Sequence, residues 1–400
     1  MSITTPSPAA RTSVLAAAGL TLMAAATIAP SLPAMAEAFS GAPGSETLVR
    51  LVLTVTSLTI AITAPLAGAL ADRLGRRPLL IASLAIYTVA GSAGFVISDL
   101  PLLLVSRALL GVAVGGIMTA VSAIITDWFD GPARASFLAR QQAAASLGGV
   151  IFLPLAGVLA AQSWRAPFLL YGAGILVLPF VILALREPGR VRVSPHLARG
   201  IAADGSRSNG GAGWRIAGIA VVALVVTAVF FMAPTQLPFS LQRFDAPPAV
   251  TGVVVAASTA TGVIGALGFP WLSRRLSTTA ITASSVLLLG VGWVLAGTAN
   301  GVAQVLAGVL LGGIGVGMAV PNLNYRLAAL ATPAGRGRVL GTLVAAIFLG
   351  QFLSPLVAAP LIDAVGIPAT FLWSGVILTV AGAGAFGSRM LARRRTPATS

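Results

Sequence analysis

Few side chains in this sequence could carry out covalent or metal chemistry. Its 400 residues include no cysteine, a single histidine (His196) and ten acidic residues. An enzyme that uses a nucleophile needs a base beside it, and a metal centre needs several histidine, cysteine or carboxylate ligands close together. The sequence therefore predicts no catalytic residue, no metal site and no cofactor, and it argues against an enzyme.

A charged residue inside an apolar stretch indicates chemistry of another kind. Arg107 lies in the stretch SRALLGVAVGG, and Asp127 lies near the end of the same apolar run. A charge inside a membrane span is costly and indicates a functional site by default. The alternative is an arginine that snorkels toward the outer interface. Arg107 and Asp127 are therefore candidates for ion coupling or substrate binding.

Several polar and aromatic residues inside apolar runs could line a solute cavity. They are Arg140, Gln141, Gln142, Phe230, Phe231, Gln236, Asn322, Tyr325, Phe348 and Gln351. Phe348, Gln351 and Ser354 are spaced by three and so share one face of a helix. A cavity with aromatic side chains and few charges suits a partly apolar organic solute. Helix packing and interhelical hydrogen bonds account for any single one of these residues equally well.

The elements that must position these residues are membrane-spanning helices. Hydrophobic residues make up 57% of the chain and charged residues 9%, whereas a soluble domain carries roughly a quarter charged residues. A helix crosses the bilayer with about 20 apolar residues, while the strands of a β-barrel would alternate polar and apolar residues. Twelve apolar runs predict twelve such helices, at residues 13–35, 48–71, 78–97, 101–126, 135–161, 165–185, 215–237, 248–272, 278–298, 302–322, 339–361 and 366–387.

The arginines predict the orientation of these spans. Every one of the 25 basic residues is arginine, and most follow the even-numbered runs or lie between the sixth and seventh runs. The positive-inside rule places these loops and both termini in the cytoplasm. Attraction to anionic lipid accounts for the net charge of +15, so no nucleic-acid partner is predicted. The use of arginine without lysine indicates a GC-rich, bacterial genome, and we expect a multi-pass protein of the bacterial inner (plasma) membrane.

The chain divides into two related halves. The segment that begins at Arg134 lines up with the segment that begins at Arg336, and Gly148 then meets Gly350. A basic, Gly/Ser-containing stretch separates the halves and is typical of a linker. The predicted domains are a six-helix bundle at 1–190, a cytoplasmic linker at 191–212 and a second six-helix bundle at 213–400. Duplicated helical membrane proteins commonly move solute at the interface of their repeats, and the ring of charges expected for a channel is missing.

The most specific motif is GALADRLGRRP, residues 68–78, between the second and third runs. Asp72 places a carboxylate among arginines at the membrane boundary, Gly75 permits a tight turn, and Gly68 lets a neighbouring helix approach closely. This motif resembles the loop signature of the major facilitator superfamily. The resemblance extends over essentially the whole chain and implies an all-α integral membrane fold of two pseudo-symmetric six-helix bundles.

The resemblance also implies a role for this loop. The cluster would latch the cytoplasmic face between the two halves and break during turnover. Its members are Gly68, Asp72, Arg73, Gly75, Arg76 and Arg77. The equivalent place after the eighth run keeps Arg274 and Arg275 but has no acid.

Two further stretches are similar to family motifs. Arg107 followed by Gly111 matches the arginine motif of the fourth helix, which the family associates with proton coupling or anion binding. The fifth run contains Gly148, Pro154 and Gly157. These resemble the motif that kinks helix 5 against helix 8 in the drug:proton antiporter branch, although its Gly-Pro pair is Leu-Pro in this chain. Proline permits a bend, and a plain packing kink explains the same residues equally well.

The resemblance implies a secondary active transporter that works by alternating access. Proton-coupled efflux of small organic, partly apolar solutes, of the multidrug type, is the leading hypothesis, and a sugar or small organic-anion permease or facilitator that uses Arg107 or Arg140 is the alternative. Because no acid lies near the middle of a span, three possibilities stay open: coupling through Arg107 and Asp127, coupling through a peripheral acid, and uncoupled transport. The expected partners are a small-molecule substrate and the lipid bilayer, the expected coupling ion is the proton, and the expected state is a monomer.

Overall fold

The computed structural model describes residues 6–24, 26–41, 44–186, 210–331 and 336–395, and every regular element in these ranges is helical. In the first half, α1 runs over Pro8–Ala24 and continues through the turn Ala29–Ser31 into Leu32–Ala38, followed by α2 (Ser45–Leu74), α3 (Arg76–Ser92), α4 (Leu100–Trp128), α5 (Gly131–Ala160) and α6 (Ala173–Ala184, preceded by the 3-10 segment Ala166–Gly172). In the second half, α7 runs over Gly210–Phe230 and continues as Met232–Gln242, followed by α8 (Pro248–Ser273), α9 (Thr278–Gly297), α10 (Val302–Leu330) and the long helical segment Arg336–Arg395.

The last helical segment contains two membrane crossings. Its apolar part, Val339–Phe386, is 48 residues long, about twice the 20 residues that one crossing needs. Gly366 interrupts it with a φ of 80° and a ψ of 167°, a conformation open to glycine. Ser354 and Ser374, on either side of this break, line the same small cavity, so α11 (336–365) and α12 (367–395) run side by side. The described chain has twelve spanning helices, and the predicted all-α membrane fold is confirmed.

The two halves repeat with a constant offset along the chain. Equivalent helices begin at Pro8 and Gly210, at Arg76 and Thr278, and at Leu100 and Val302. Each pair is 202 residues apart, which is also the offset between Arg134 and Arg336. Residues 191–209 of the predicted linker lie outside the described residues, and α7 begins at Gly210, ahead of the predicted start of the second bundle at 213.

The two ends of the helix bundle differ in charge. One end, the basic face, contains the turns after α2, α4 and α8 and carries Arg73, Arg76, Arg77, Arg134, Arg274 and Arg275. The other end, the acidic face, carries Glu37, Glu46, Asp99, Asp245 and Asp363. The cytoplasmic location of the basic face stays a prediction from the positive-inside rule.

The two halves meet along a surface that we call the seam, formed by α1, α2 and α5 against α7, α8 and α11. The closest approach lies near the acidic face, between the end of α5 and the start of α8. A Cβ on Gly157 would lie 2.6 Å from the carbonyl oxygen of Pro248, and a Cβ on Gly252 would lie 2.5 Å from that of Leu153. No larger residue fits at either position, because the two backbones are in direct contact.

The seam opens toward the basic face. A Cβ on Gly68, Gly268 or Gly341 would have no atom within 4 Å, so the close helix approach expected at Gly68 is not formed in this conformation. Ser57 lies eleven residues before Gly68, about three turns along the same face of α2, yet Ser57 is completely buried and bonded to α11. One face of α2 is therefore covered near the middle of the membrane and open at the basic end.

Cysteine labelling can test this asymmetry, because the chain has no cysteine of its own. In the purified protein, Gly68→Cys should react with a polar maleimide about tenfold faster than Ser57→Cys, because a buried thiol reacts only after local opening. The unsubstituted chain is the control and should remain unlabelled. Equal rates at the two positions would contradict a seam that is covered near the middle of the membrane and open at the basic end.

Candidate functional site

The seam contains a polar contact that joins the two halves. The hydroxyl of Ser57 on α2 donates a hydrogen bond of 2.8 Å to Oε1 of Gln351 on α11. Gln351 is one of the cavity candidates chosen from the sequence, and the structure brings it to the seam. Ser57 was not singled out, because serine inside an apolar helix more often bonds its own backbone.

A second group of polar side chains lies in the seam without hydrogen-bond partners. Gln236, in the Met232–Gln242 part of α7, is completely buried, and both of its amide atoms lack a partner among the described residues. This part of α7 contacts the Ala29–Ser31 turn of α1. Ser31, Thr54 and Ser240 are also buried and carry hydroxyls without a partner among the described residues. Buried polar atoms are nearly always satisfied, so this group marks a place for water or for the polar part of a solute.

Aromatic side chains line the same region. Phe231 and Phe239 of α7 and Phe348 of α11 pack against the hydrophobic core of the first half. Phe231 and Phe348 were candidates from the sequence, whereas Phe239 was not. Together with the neutral amides and hydroxyls, these rings give the seam an apolar wall with a few polar groups, a composition typical of small-molecule sites.

One buried charge in the seam was not among the candidates chosen from the sequence. Arg50 of α2 is 4% exposed, lies 3.5 Å from the Glu46 carboxylate and stacks on the ring of Phe239, 4.9 Å from its centroid. The carboxylate of Asp363, at the end of α11, lies within electrostatic range. Arg50 therefore connects α2 to α7 and α11 at the acidic face. An arginine inside the apolar run 48–71 was the signal that could have revealed it.

Arg107 lies away from the seam, inside the first half. It is 1% exposed, and its Nη2 donates hydrogen bonds of 2.6 Å and 2.5 Å to the carbonyls of Ala90 and Gly91 on α3. Its guanidinium also lies over the rings of Phe168 and Tyr171, 4.8 Å and 5.1 Å from their centroids. In this conformation Arg107 joins α4 to α3 and to the chain before α6, and it does not snorkel to the interface.

The glycine that follows Arg107 in the motif packs against another helix. Gly111 lies so close to Thr56 and Thr59 of α2 that a Cβ would overlap their atoms. Gly148 of α5 approaches Gly19 of α1 in the same way. In α5 the helix continues through Pro154, and the glycine after it, Gly157, forms the contact with α8 described above. These glycines serve close helix packing in this conformation.

The arginine-rich loop after α2 forms a network within the first half. Gly75 has a φ of 106°, which allows the sharp turn between α2 and α3. Arg76 lies 3.0 Å from the carboxylate of Asp72 and 3.0 Å from that of Asp127 at the end of α4. Arg77 donates a hydrogen bond of 2.8 Å to the carbonyl of Ile182 on α6. The cluster thus ties α2, α3, α4 and α6 together, and its role as a latch to the second half stays a prediction.

The other cavity candidates lie elsewhere. Asn322 is buried inside the second half, where its Nδ2 donates to Thr278 and Thr282 of α9. Phe230 stacks on Trp293, also within the second half. Tyr325 is exposed near the basic face, as are Arg140 and Gln142, whereas Gln141 is half-buried and bonds to Ser122. The structure places Phe231, Gln236, Phe348 and Gln351 at the seam and leaves the remaining candidates outside its closed part.

Comparisons with known proteins identify the family. The family model described as Major Facilitator Superfamily matches residues 14–329 and 219–400. The chain is 25% identical over 334 residues to the quinolone resistance protein NorA of Staphylococcus aureus, across 81% of this chain and 82% of NorA. It is 32% identical over 147 residues to multidrug resistance protein 1 of Bacillus subtilis, across 36% of this chain and 38% of that protein. A solved bacterial homologue of the human lysosomal transporter Spinster, in an inward-facing and occupied conformation, matches with a TM-score of 0.75 and 17% identity over 98% of this chain and 100% of that chain.

These matches define the class of the protein. The chain belongs to the major facilitator superfamily, as its sequence motifs predicted. It is a multi-pass membrane transporter and not an enzyme, and its relatives include bacterial proteins named for quinolone resistance and for multidrug resistance. The match to the Spinster homologue shows that the two proteins share a fold.

Replacing Arg50 by methionine tests the contact at the acidic face. Arg50→Met removes the charge while keeping the chain length, so the halves should separate more readily there. In a Ser57→Cys background, labelling by a polar maleimide should become about tenfold faster, the equivalent of about 1.4 kcal/mol. Glu46→Gln is the control and should change the rate far less, because Glu46 is exposed and on the same helix. An unchanged labelling rate in Arg50→Met would show that Arg50 does not hold the acidic face closed.

Replacing Arg107 tests its role inside the first half. Arg107→Gln should lower the free energy of unfolding by about 3 kcal/mol, since two carbonyls and two rings lose their shared partner. Arg107→Lys keeps the charge and a nitrogen that can donate to both carbonyls, but it has no planar group to stack on the rings, so it should recover only part of the loss. The measurement is unfolding in mixed micelles, followed by tryptophan fluorescence. Unchanged stability in Arg107→Gln would leave Arg107 without this structural role.

Proposed function

We propose that this protein exports small, partly apolar organic solutes across a bacterial inner membrane by alternating access. The observation that carries the proposal is the seam, which is closed at the acidic face by Gly157 and Gly252 and open toward the basic face at Gly68. A duplicated transporter that rocks around such a seam exposes a central site to each side in turn. With the basic face in the cytoplasm, this conformation accepts solute from the cell interior.

The side chains of the seam support the choice of solute. Phe231, Phe239 and Phe348 offer apolar contact, while Gln236 and Gln351 offer neutral hydrogen-bonding groups. Such a wall favours a partly apolar organic molecule over a sugar, which needs many hydrogen bonds, or over a highly charged anion. The names of NorA, a quinolone resistance protein, and of multidrug resistance protein 1 of Bacillus subtilis agree with this choice.

Protons are the proposed coupling ion. At each face a carboxylate pairs with an arginine: Asp127 with Arg76 at the basic face and Glu46 with Arg50 at the acidic face. Both of these ion pairs lie within the first half, so the charge that couples protons to the seam is proposed to be the attraction between Arg50 of α2 and Asp363 of α11. Loss of the Asp363 charge would loosen the acidic face and shift the balance between the two orientations. Arg107 takes no part in this scheme, because its guanidinium is enclosed in the first half. We further propose that both termini are cytoplasmic and that a monomer is the working unit, because each monomer contains a complete seam.

Transport by the purified full-length protein in liposomes tests the proposal. An imposed pH gradient should drive accumulation of a lipophilic cationic dye and of a fluoroquinolone by about tenfold or more per unit of pH difference, because each pH unit supplies about 1.4 kcal/mol per exchanged proton. A sugar should not accumulate. Transport of the drugs without response to the gradient would remove the coupling claim, and accumulation of the sugar alone would favour the permease alternative.

A matched pair of variants tests whether the solute binds in the seam. Gln236→Leu should change the apparent KM for the dye by about tenfold, because it removes polar groups from the proposed site. Gln162→Leu makes the same chemical change in an exposed turn at the acidic face and should leave the KM unchanged. Equal KM values for both variants would place the solute elsewhere.

A further inference from the structure

A pocket opens at the basic face of the second half, separate from the seam side chains described above. It has a volume of about 510 Å³ and lies among α7, α9 and α10. Its wall includes Arg215, Thr278, Thr279, Tyr325, Arg326 and Ala329. A cavity of this size lies within the range of small-molecule sites.

The internal repeat shows what is missing from this pocket. With the offset of 202 residues between equivalent helix starts, Thr278 corresponds to Arg76 and Ala329 corresponds to Asp127. In the first half that arginine and that aspartate form a 3.0 Å ion pair, which fills the same corner between the start of α3 and the end of α4. In the second half a threonine and an alanine replace the pair, and an open pocket occupies the corresponding place.

The pocket is positively charged. Arg215 and Arg326 contribute two guanidinium groups to its wall. The only acidic residues after residue 209 are Asp245 and Asp363, and both lie at the acidic face. The second half therefore supplies no acidic side chain to the pocket, and an anion from outside this half would complement its charge.

Neutral donors reinforce the preference for an anion. The pocket wall includes Thr278 and Thr279, the first residues of α9, and a helix N-terminus carries partial positive charge and free N–H groups. Ser277 caps this helix by accepting a hydrogen bond from the N–H of Ala280. The N–H groups of Thr278 and Thr279 are not part of that bond. Arg326 of α10 donates a hydrogen bond to the hydroxyl of Thr282 on α9. This bond positions the guanidinium of Arg326 at the pocket wall.

A buried polar atom next to the pocket lacks a partner. Asn322 is completely buried and donates to the carbonyl of Thr278, which itself lines the pocket. Its Oδ1 has no hydrogen-bond partner among the described residues. A water would satisfy this oxygen. Asn322 is not part of the pocket wall, so this oxygen marks a place for a buried water next to the pocket.

We propose that this pocket binds a phosphate-bearing anion at the basic face of the second half. Arg215 and Arg326 pair with the phosphate, the N-terminus of α9 faces it, and Tyr325 offers its ring and hydroxyl to the remainder of the ligand. A soluble phosphate compound and the headgroup of an anionic lipid present the same group. The inference stands independently of the transported solute, because it concerns a site outside the closed part of the seam.

Thermal unfolding of the purified full-length protein tests the proposal in two arms. In detergent, inorganic phosphate is titrated at constant ionic strength against chloride. In bilayer discs, phosphatidylglycerol is compared with phosphatidylcholine. A ligand that binds only the folded state raises the unfolding temperature in a saturable way. Saturable stabilisation in the first arm assigns the site to soluble phosphate, and stabilisation in the second arm alone assigns it to a lipid headgroup.

Three variants separate the pocket from general surface charge. Arg215→Gln should weaken the apparent affinity by about tenfold or more, because it removes one charge-assisted contact. Ala329→Asp introduces the acid that the first half has at the corresponding position, and it should abolish the stabilisation by phosphate. Arg274→Gln removes the same charge from an exposed position at the same face, outside the pocket wall, and should behave like the unsubstituted protein. The proposal would be overturned if neither arm showed stabilisation, or if Arg215→Gln and Arg274→Gln lost the same amount of apparent affinity.

Discussion

The backbone contact between α5 and α8 at Gly157 and Gly252 is the constraint on which the arrangement of the two halves depends. Lipid tails are as apolar as the helices themselves, so helices in a bilayer associate through close packing and hydrogen bonds. Glycines allow that packing near the acidic face, and the hydrogen bond between Ser57 and Gln351 adds a polar contact farther along the seam. Since no comparable contact forms at Gly68 or Gly268, this conformation has one closed end and one open end.

The two halves share a fold but differ in their electrostatics. In the first half, Arg76 and Asp127 join α3 to α4 at the basic face, and Arg107 joins α4 to the carbonyls of α3 deeper in the bundle. Both sets of contacts favour movement of this half as a rigid unit. The second half has no acid at its basic face, and its corresponding corner is a positively charged pocket. Duplication thus preserved the helix positions while the charges at equivalent places diverged.

The predictions of individual residues succeeded or failed for physical reasons. Gln236 and Gln351 were chosen because an amide is unusual in an apolar span, and both lie in the seam. Asn322 met the same criterion, yet it bonds to α9 inside the second half, because an interhelical hydrogen bond satisfies an amide as well as a cavity does. Arg50 was missed although it interrupts an apolar run, and its contact with Phe239 depends on α2 and α7 meeting at the seam.

The sequence alone determined the membrane location, the twelve spans, the duplication and the family, because the bilayer demands long apolar helices and the loop motif after α2 is specific. The tertiary structure decided which polar residues meet, which glycines pack tightly and which end of the seam is open. The physical reason is that a helix in lipid is apolar both where it faces lipid and where it faces its neighbours. Periodicity therefore does not show which side of a helix faces the seam, and only the packing of the twelve helices does.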